Sequence, residues 1–166
     1  MAKNIGKIFE EEIKASIPEG FYVERYKDDT AGFYGVTNPA DYRLYKHPYL
    51  FLWELKTHKG KSLPLAKIRL NQIKGLYKAS EHTGIYAGFI INFRDLEETY
   101  YVPVRYIVKE FYCFNEADEI ACIIPNGRKS IPVDWCKIYG CRIEQSKKRV
   151  RYTYNLAEFF RGYGLE

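Results

Sequence analysis

Asp41, Glu54 and Lys56 are the residues whose types and spacing best suit joint chemistry. Asp41 lies in Asn38-Pro39-Ala40-Asp41-Tyr42, and Glu54 follows thirteen residues later in Trp53-Glu54-Leu55-Lys56. Residues 54 and 56 are two apart, so on a β-strand both side chains leave the same face. They end the apolar run Tyr49-Leu50-Phe51-Leu52-Trp53, which reads as buried. Burying a carboxylate and an ammonium without partners is costly, and a divalent cation carrying a phosphate would offset that cost. Hydrolysing a phosphodiester at neutral pH requires a nucleophilic water and neutralisation of developing negative charge, both of which Mg²⁺ or Mn²⁺ can supply. Hard cations take oxygen ligands, so Asp41 and Glu54 suit them, together with the carbonyl of residue 55 and waters. Lys56 would hold the attacking water or offset charge on the phosphorus. The chemistry these residues point to is that of a metal nuclease.

Further candidates surround this set. Gln72 falls on the next helical stretch, where a neutral amide can orient a metal-bound water or add a ligand; an exposed helical glutamine fits the same pattern. Glu10, Glu11 and Glu12 fall in the first helical stretch, and only one or two of them can face the sheet. Acids early in a helix also complement its dipole with no catalytic role. Residues 56–78 carry Lys56, Lys59, Lys61, Lys67, Arg69, Lys74 and Lys78 with no acid between them, and residues 147–151 read Lys-Lys-Arg-Val-Arg. Solvated helix faces normally mix signs, so the first run points to a polyanion.

These residues need elements to position them. Residues 4–17 place Ile5, Ile8 or Phe9, Ile13 and Ile17 at helical spacing, ended by Pro18-Glu19-Gly20. Residues 21–26 alternate like a strand, and a polar connection follows from 27 to 39, a length that in small domains tends to be functional. Residues 41–45 and 49–56 form a predicted hairpin around Lys46-His47-Pro48. A helix is predicted over 65–81, strands over 86–93 and 99–104, and a short helix from Pro103 to Phe111. The pattern then weakens to a Pro/Gly loop at 125–127, a strand pair around 138–145 and 149–154, and a final helix at 155–161. The order implies an α+β domain spanning 1–166, a mixed β-sheet flanked by helices. In it the first helix and the hairpin would direct carboxylates into one cleft.

The totals exclude some classes. The 166 residues, 46% hydrophobic and 28% charged, describe a globular chain with room for a core, not a disordered one. A formal charge of +5 is compatible with nucleic acid without being specific to it. Sixteen tyrosines suit a β-rich core, and also wet interfaces and stacking on bases. No apolar stretch approaches a membrane span and no signal peptide opens the chain, so the cytoplasm is the expected compartment. Cys113, Cys122, Cys136 and Cys141 fit no zinc spacing and read as reduced thiols.

The motifs Pro39-Ala40-Asp41 and Glu54-Leu55-Lys56 resemble the PD-(D/E)xK nuclease superfamily, whose fold is restriction-endonuclease-like. Within it the chain resembles RecU-type Holliday junction resolvases of Gram-positive bacteria and their phages. The matching segments are Asn4-Ile5-Gly6, Phe9-Glu10-Glu11-Glu12-Ile13, Asp41-Tyr42, Glu54-x-Lys56, Pro64-Leu65, Gln72-Ile73 and Asn126-Gly127-Arg128-Lys129-Ser130-Ile131, in family order. Gly6 to Glu10 and the Asp-to-Glu step also resemble archaeal Hjc resolvases. The resemblance implies a homodimer that binds four-way DNA junctions by shape and makes paired symmetric nicks with Mg²⁺ or Mn²⁺. It puts Asp41, Glu54 and Gln72 at the metal, Lys56 at the transition state and Glu10 as the helix-borne acid. Lys27, Tyr34, Lys59, Lys61, Lys67, Arg69, Arg128 and Lys129 are the candidate DNA contacts. Two departures stand out. Pro39 occupies the place of a family threonine that helps at the metal, and the 27–39 connection is much shorter than the family's stalk, which suits a phage-encoded version. The competing readings are a related nuclease acting on other DNA in restriction or repair, a DNA-binding protein without turnover, and an interaction protein whose Glu54–Lys56 pair is only a surface ion pair.

Overall fold

The computed structural model describes residues 4–26 and 38–165. Lys27, Thr30, Phe33, Tyr34 and Thr37 lie outside the described residues. Helix α1 (Ile5–Ala15) starts where the Asn4 side chain accepts the Gly6 N–H at 2.9 Å, and it buries Phe9, Glu12 and Ile13. The strands β1 (Tyr22–Arg25), β2 (Tyr42–Lys46) and β3 (Tyr49–His58) follow, and β2 pairs with β3 in the register Tyr42–Trp53 to Lys46–Tyr49. Next come β4 (Ser62–Pro64), a 3₁₀ turn at Leu65–Lys67, α2 (Leu70–Ser80), β5 (Ile85–Phe93) and β6 (Glu98–Pro103). The chain continues through α3 (Val104–Phe111), β7 (Tyr112–Phe114), β8 (Ile120–Ile123), β9 (Ser130–Pro132) and α4 (Val133–Tyr139). It finishes with β10 (Cys141–Arg142), β11 (Gln145–Lys148), β12 (Arg151–Tyr154) and α5 (Leu156–Arg161).

Six strands form one mixed sheet in the order β1-β2-β3-β5-β6-β10, antiparallel except where α2 carries the chain from β3 over to a parallel β5. Strand alternation divides the core in two. Leu52, Phe89, Ile91 and Val102 pack with residues of α2, α3 and α4 on one face. Phe51, Trp53, Leu55 and Tyr101 pack with α1, α5 and β12 on the other, where the Trp53 and Phe160 rings stack with centroids 5.5 Å apart. Glu54 and Lys56 share the face of Leu52, so they point toward α2. The expected α+β class, a mixed sheet flanked by helices, is what the chain adopts. No helix among the described residues is long and apolar enough to cross a membrane.

Three elements differ from the sequence reading. The helix expected over 65–81 starts later, because Leu63 pairs with Ile131 in a β4–β9 ribbon and the Leu65 N–H donates to the Lys129 carbonyl at 2.9 Å. Ile68 then turns extended, at φ −108° and ψ 122°, before α2 begins. The strand expected near 138 is the end of α4, whose Trp135 and Tyr139, four apart, stack at 4.9 Å. That helix stops at Gly140, where a Cβ would meet the Cys136 carbonyl at 2.7 Å. The hairpin of β7 with β8 and the β4–β9 ribbon had no readable signal, since strands of three or four residues are too short to show alternation.

The three early acids separate cleanly. Glu12 is 4% exposed, accepts both Arg94 guanidinium nitrogens at 2.8 and 3.1 Å, and accepts the Tyr152 N–H at 3.1 Å. It ties α1 to the end of β5 and to β12. Glu11 pairs with Arg151 at 3.1 Å and Glu10 with Arg25 at 2.6 Å, both nearer the surface. Removing Glu12 would leave the half-buried Arg94 with only the Tyr152 ring beneath it and the Tyr152 N–H without its acceptor, so Glu12→Ala is expected to lower the unfolding free energy by about 3 kcal/mol in urea titration. Glu10→Gln is expected to lower it by less than about 1 kcal/mol.

Candidate active site

The registered pairs of β2 with β3 end at Tyr42–Trp53, and Asp41 is the next residue. Its N–H donates to the Trp53 carbonyl at 2.9 Å, and its carboxylate Oδ2 accepts the Leu55 N–H at 2.7 Å. A side chain thus replaces the departing strand as acceptor for β3, which pins the Asp41 carboxylate beside Glu54. Glu54 is 3% exposed; its Oε1 accepts Lys56 Nζ at 2.8 Å and Gln72 Nε2 at 2.6 Å. Gln72 Oε1 in turn accepts Lys56 Nζ at 3.4 Å and the Arg69 N–H at 3.1 Å.

Gln72 is buried, not the exposed helical glutamine that the periodicity allowed. The late start of α2 makes it the third helical residue, where a Gln side chain can reach back to the N-cap N–H, one half of a capping box. The same amide therefore starts the helix and positions Glu54 and Lys56. The approach of α2 depends on Gly75. A Cβ there would lie 2.5 Å from Pro39 Cβ, two residues before Asp41. Pro39 is thus a packing contact between the Asp41 turn and α2.

The electrostatics mark the two acids. Burial raises the Glu54 carboxyl, the Asp41 charge raises it further, and Lys56 and Gln72 only partly oppose them, leaving it at about 7. Burial also raises Asp41, against the Leu55 N–H, and the Glu10 charge adds to the rise. Lys56, with Arg25 acting on Asp41 from farther off, does not offset the buried Glu54 and the half-buried Asp41, since both carboxyls stay raised. A hard divalent cation would, and the oxygens of Asp41, Glu54 and Gln72 are the donor type it takes. Among the described residues no three His, Cys, Asp or Glu side chains gather into a metal cage, so such an ion would also draw on Gln72, backbone oxygen or water.

Glu10 departs from the single cleft expected of it. It lies on α1, across the sheet from Gln72, and lines a separate groove of about 300 Å³ with Lys7, Lys14, Arg25 and Tyr42. Its charge acts on Asp41 through space. The basic candidates do converge. The β4–β9 ribbon sets Lys61 beside Val133 and Lys129 beside Leu65, through backbone bonds of 2.8 and 2.9 Å. Lys59, Lys61, Lys67, Arg69, Arg128 and Lys129 are all exposed, on segments that follow β3 or pair with them. The sequence reading missed His58, at the end of β3, which lies 3.0 Å from Lys67 Nζ. Burial and the Lys67 charge hold that imidazole below its usual range, so the neutral ring can accept a hydrogen bond from the lysine ammonium. Lys27 and Tyr34 lie outside the described residues.

The fold and site define a mixed-sheet α+β protein in which Asp41, just before β2, meets Glu54 and Lys56 of the central strand. The chain belongs to the RecU family, described as Recombination protein U, whose profile it matches over residues 14–158. It is 32% identical to the SPbeta prophage-derived uncharacterized protein YotM of Bacillus subtilis (strain 168), over 93% of this chain and 84% of that protein. It is 29% identical to the Holliday junction resolvase RecU of Lactococcus lactis subsp. cremoris (strain SK11), over 69% of this chain and 49% of that one. The chain thus spans about half the length of that resolvase. Among solved structures, Hjc of Archaeoglobus fulgidus, a Holliday junction resolvase, aligns over 74% of this chain and 83% of its own at 15% identity and a TM-score of 0.45.

Two measurements test this geometry. The folded state holds a proton on Glu54 that the unfolded chain releases, so without metal Glu54 makes the protein lose stability as pH rises from 4.5 to about 7. Urea midpoints across that window are expected to fall less steeply in Glu54→Gln than in the parent chain. Gly75→Ala would push Pro39 away from α2 and is expected to cost about 1–3 kcal/mol of stability in the same assay.

Proposed function

We propose that this chain is a metal-dependent DNA endonuclease that resolves four-way junctions by paired symmetric nicks, acting as a homodimer. The observation that carries the reading is the convergence of Asp41, Glu54, Lys56 and Gln72 on one face of β3, with two carboxylates left short of positive charge. Family membership and the resolvase named among its relatives support it. The prophage origin in the printed name of YotM supports a phage-encoded version at work in the bacterial cytoplasm.

In this reading Asp41, Glu54 and Gln72 hold Mg²⁺, for which Mn²⁺ would substitute. When bound, the ion supplies the charge that activates water and stabilises the phosphorane-like transition state. Lys56 donates from the same face, so its ammonium orients the attacking water or offsets charge on a phosphate oxygen. Gln72 keeps Lys56 and Glu54 in register through its two hydrogen bonds, and Glu10 tunes Asp41 through space. The exposed bases from Lys59 to Arg69, with Arg128 and Lys129, steer the DNA backbone, which gives binding a steep salt dependence. Pro39 offers no side-chain oxygen, so in this reading the side-chain ligands are Asp41, Glu54 and Gln72.

The test is incubation with a synthetic mobile junction and Mg²⁺. Paired symmetric nicks are expected, and equal cutting of linear duplex would instead indicate a nuclease for other DNA. Asp41→Asn and Glu54→Gln are expected to abolish cutting and keep junction binding in gel shift, whereas loss of both would make the acids structural. Lys56→Ala is expected to slow cutting by about 100- to 1,000-fold with a smaller change in Mg²⁺ affinity by calorimetry.

A further inference from the structure

The basic run at 147–151 takes no part in the site above. Strands β11 and β12 pair from Gln145–Tyr154 to Lys148–Arg151, which makes Arg149 and Val150 a two-residue tip. The ribbon is anchored at its base, where the Tyr152 N–H donates to Glu12 Oε1 at 3.1 Å and the Tyr154 N–H to Ser16 Oγ at 3.0 Å. Its flanks are held as well. Lys147 and the Tyr152 hydroxyl bind Glu97 at 3.4 and 2.6 Å, and Arg151 binds Glu11.

The tip is different. Lys148 and Arg149 are exposed and no ion pair engages either among the described residues, while Val150 is 80% exposed. Arg149 sits at φ 61°, in the left-handed region that hairpin tips normally give to Gly, Asn or Asp. A turn chosen for stability alone would carry one of those residues. This one holds a guanidinium and two methyl groups in water, on an otherwise well-fastened stem.

Position supplies the partner. Glu97 and Asp95 belong to the turn between β5 and β6; Asp95 Oδ2 accepts the Gly60 N–H at 3.2 Å, and His58 is registered with Phe93. The ribbon and the Lys59–Lys61 loop therefore flank one turn at the end of β3 just past Lys56. The ribbon packs on the α1 side of the sheet, and the bases of Lys67, Arg69 and Lys129 lie with α2 on the other. A two-stranded ribbon fits a nucleic-acid groove.

We propose that the β11–β12 ribbon is a second DNA-contacting arm, with Lys148 and Arg149 on phosphates and Val150 against the groove wall. Together with the bases on the α2 side, it would hold DNA across the end of β3. The proposal rests on the nuclease reading and adds the face and the element. Lys148→Ala/Arg149→Gly separates folding from binding, because glycine relieves the tip. Its urea midpoint is expected to hold or rise, while junction affinity falls about tenfold at 0.1 M salt. Removing two phosphate contacts from each subunit, four in the dimer, would make the slope of log K against log salt shallower by about 3.6. Val150→Ser is expected to weaken binding severalfold at unchanged slope. A double variant with parental affinity and slope overturns the arm while leaving the nuclease reading intact. A parent chain that neither binds nor cuts the junction overturns both.

Discussion

Buried Glu54 and half-buried Asp41 lie near enough that the Asp41 charge raises the Glu54 carboxyl, and the surrounding structure is arranged about that repulsion. Neither acid is free to turn away. A backbone N–H of β3 grips Asp41, while Lys56 and Gln72 grip Glu54. A fold selected for stability alone would not keep two poorly neutralised carboxylates at the end of an apolar strand, since replacing such groups by packed hydrocarbon is often neutral or stabilising.

The scaffold explains how the pair is kept. The central position of β3 lets aromatic residues from α5 lock one of its faces through Phe51 and Trp53, while the other face presents Glu54 and Lys56 to α2. Three local devices then fix α2 at the right height. The β4–β9 ribbon delays the helix, Gln72 caps it, and Gly75 lets it seat against Pro39. Each is structurally ordinary, and together they bring a neutral amide to the one place where it can bridge an acid and a lysine.

Charge on the exterior follows the same geometry. Bases far apart in the chain, at 59–69 and 128–129, become neighbours through the β4–β9 pairing, and the ribbon at 145–154 brings another basic segment to the same end of the sheet. Polyanion binding gains from such clustering because each neutralised phosphate releases counterions. The buried Glu12–Arg94 pair belongs to this scheme as a fastener, joining α1, the β5–β6 turn and β12.

Much of this was legible in the residues. The turn residues at Lys46-His47-Pro48 showed the hairpin but not its register, an apolar run ending in Glu-x-Lys showed that acid and ammonium share a face, and the period of residues 4–17 showed α1. These features depend on side chains within one or two elements, where sequence spacing is spatial spacing. Strands of three or four residues, the true start of α2 and the helix at 133–139 escaped, because elements this short show no clear period and, as with β4 and β9, can depend on a partner 68 residues away. Likewise the sequence listed three adjacent acids with equal claims. Only the burial of Glu12 against Arg94, and the more exposed pairs of Glu10 with Arg25 and Glu11 with Arg151, told the three apart. The sequence by itself determined which groups could hold a cation, since ligand chemistry resides in residue type. The tertiary structure alone decided which of them meet, because carboxyl repulsion, helix seating and strand pairing are set by distances that chain order does not contain.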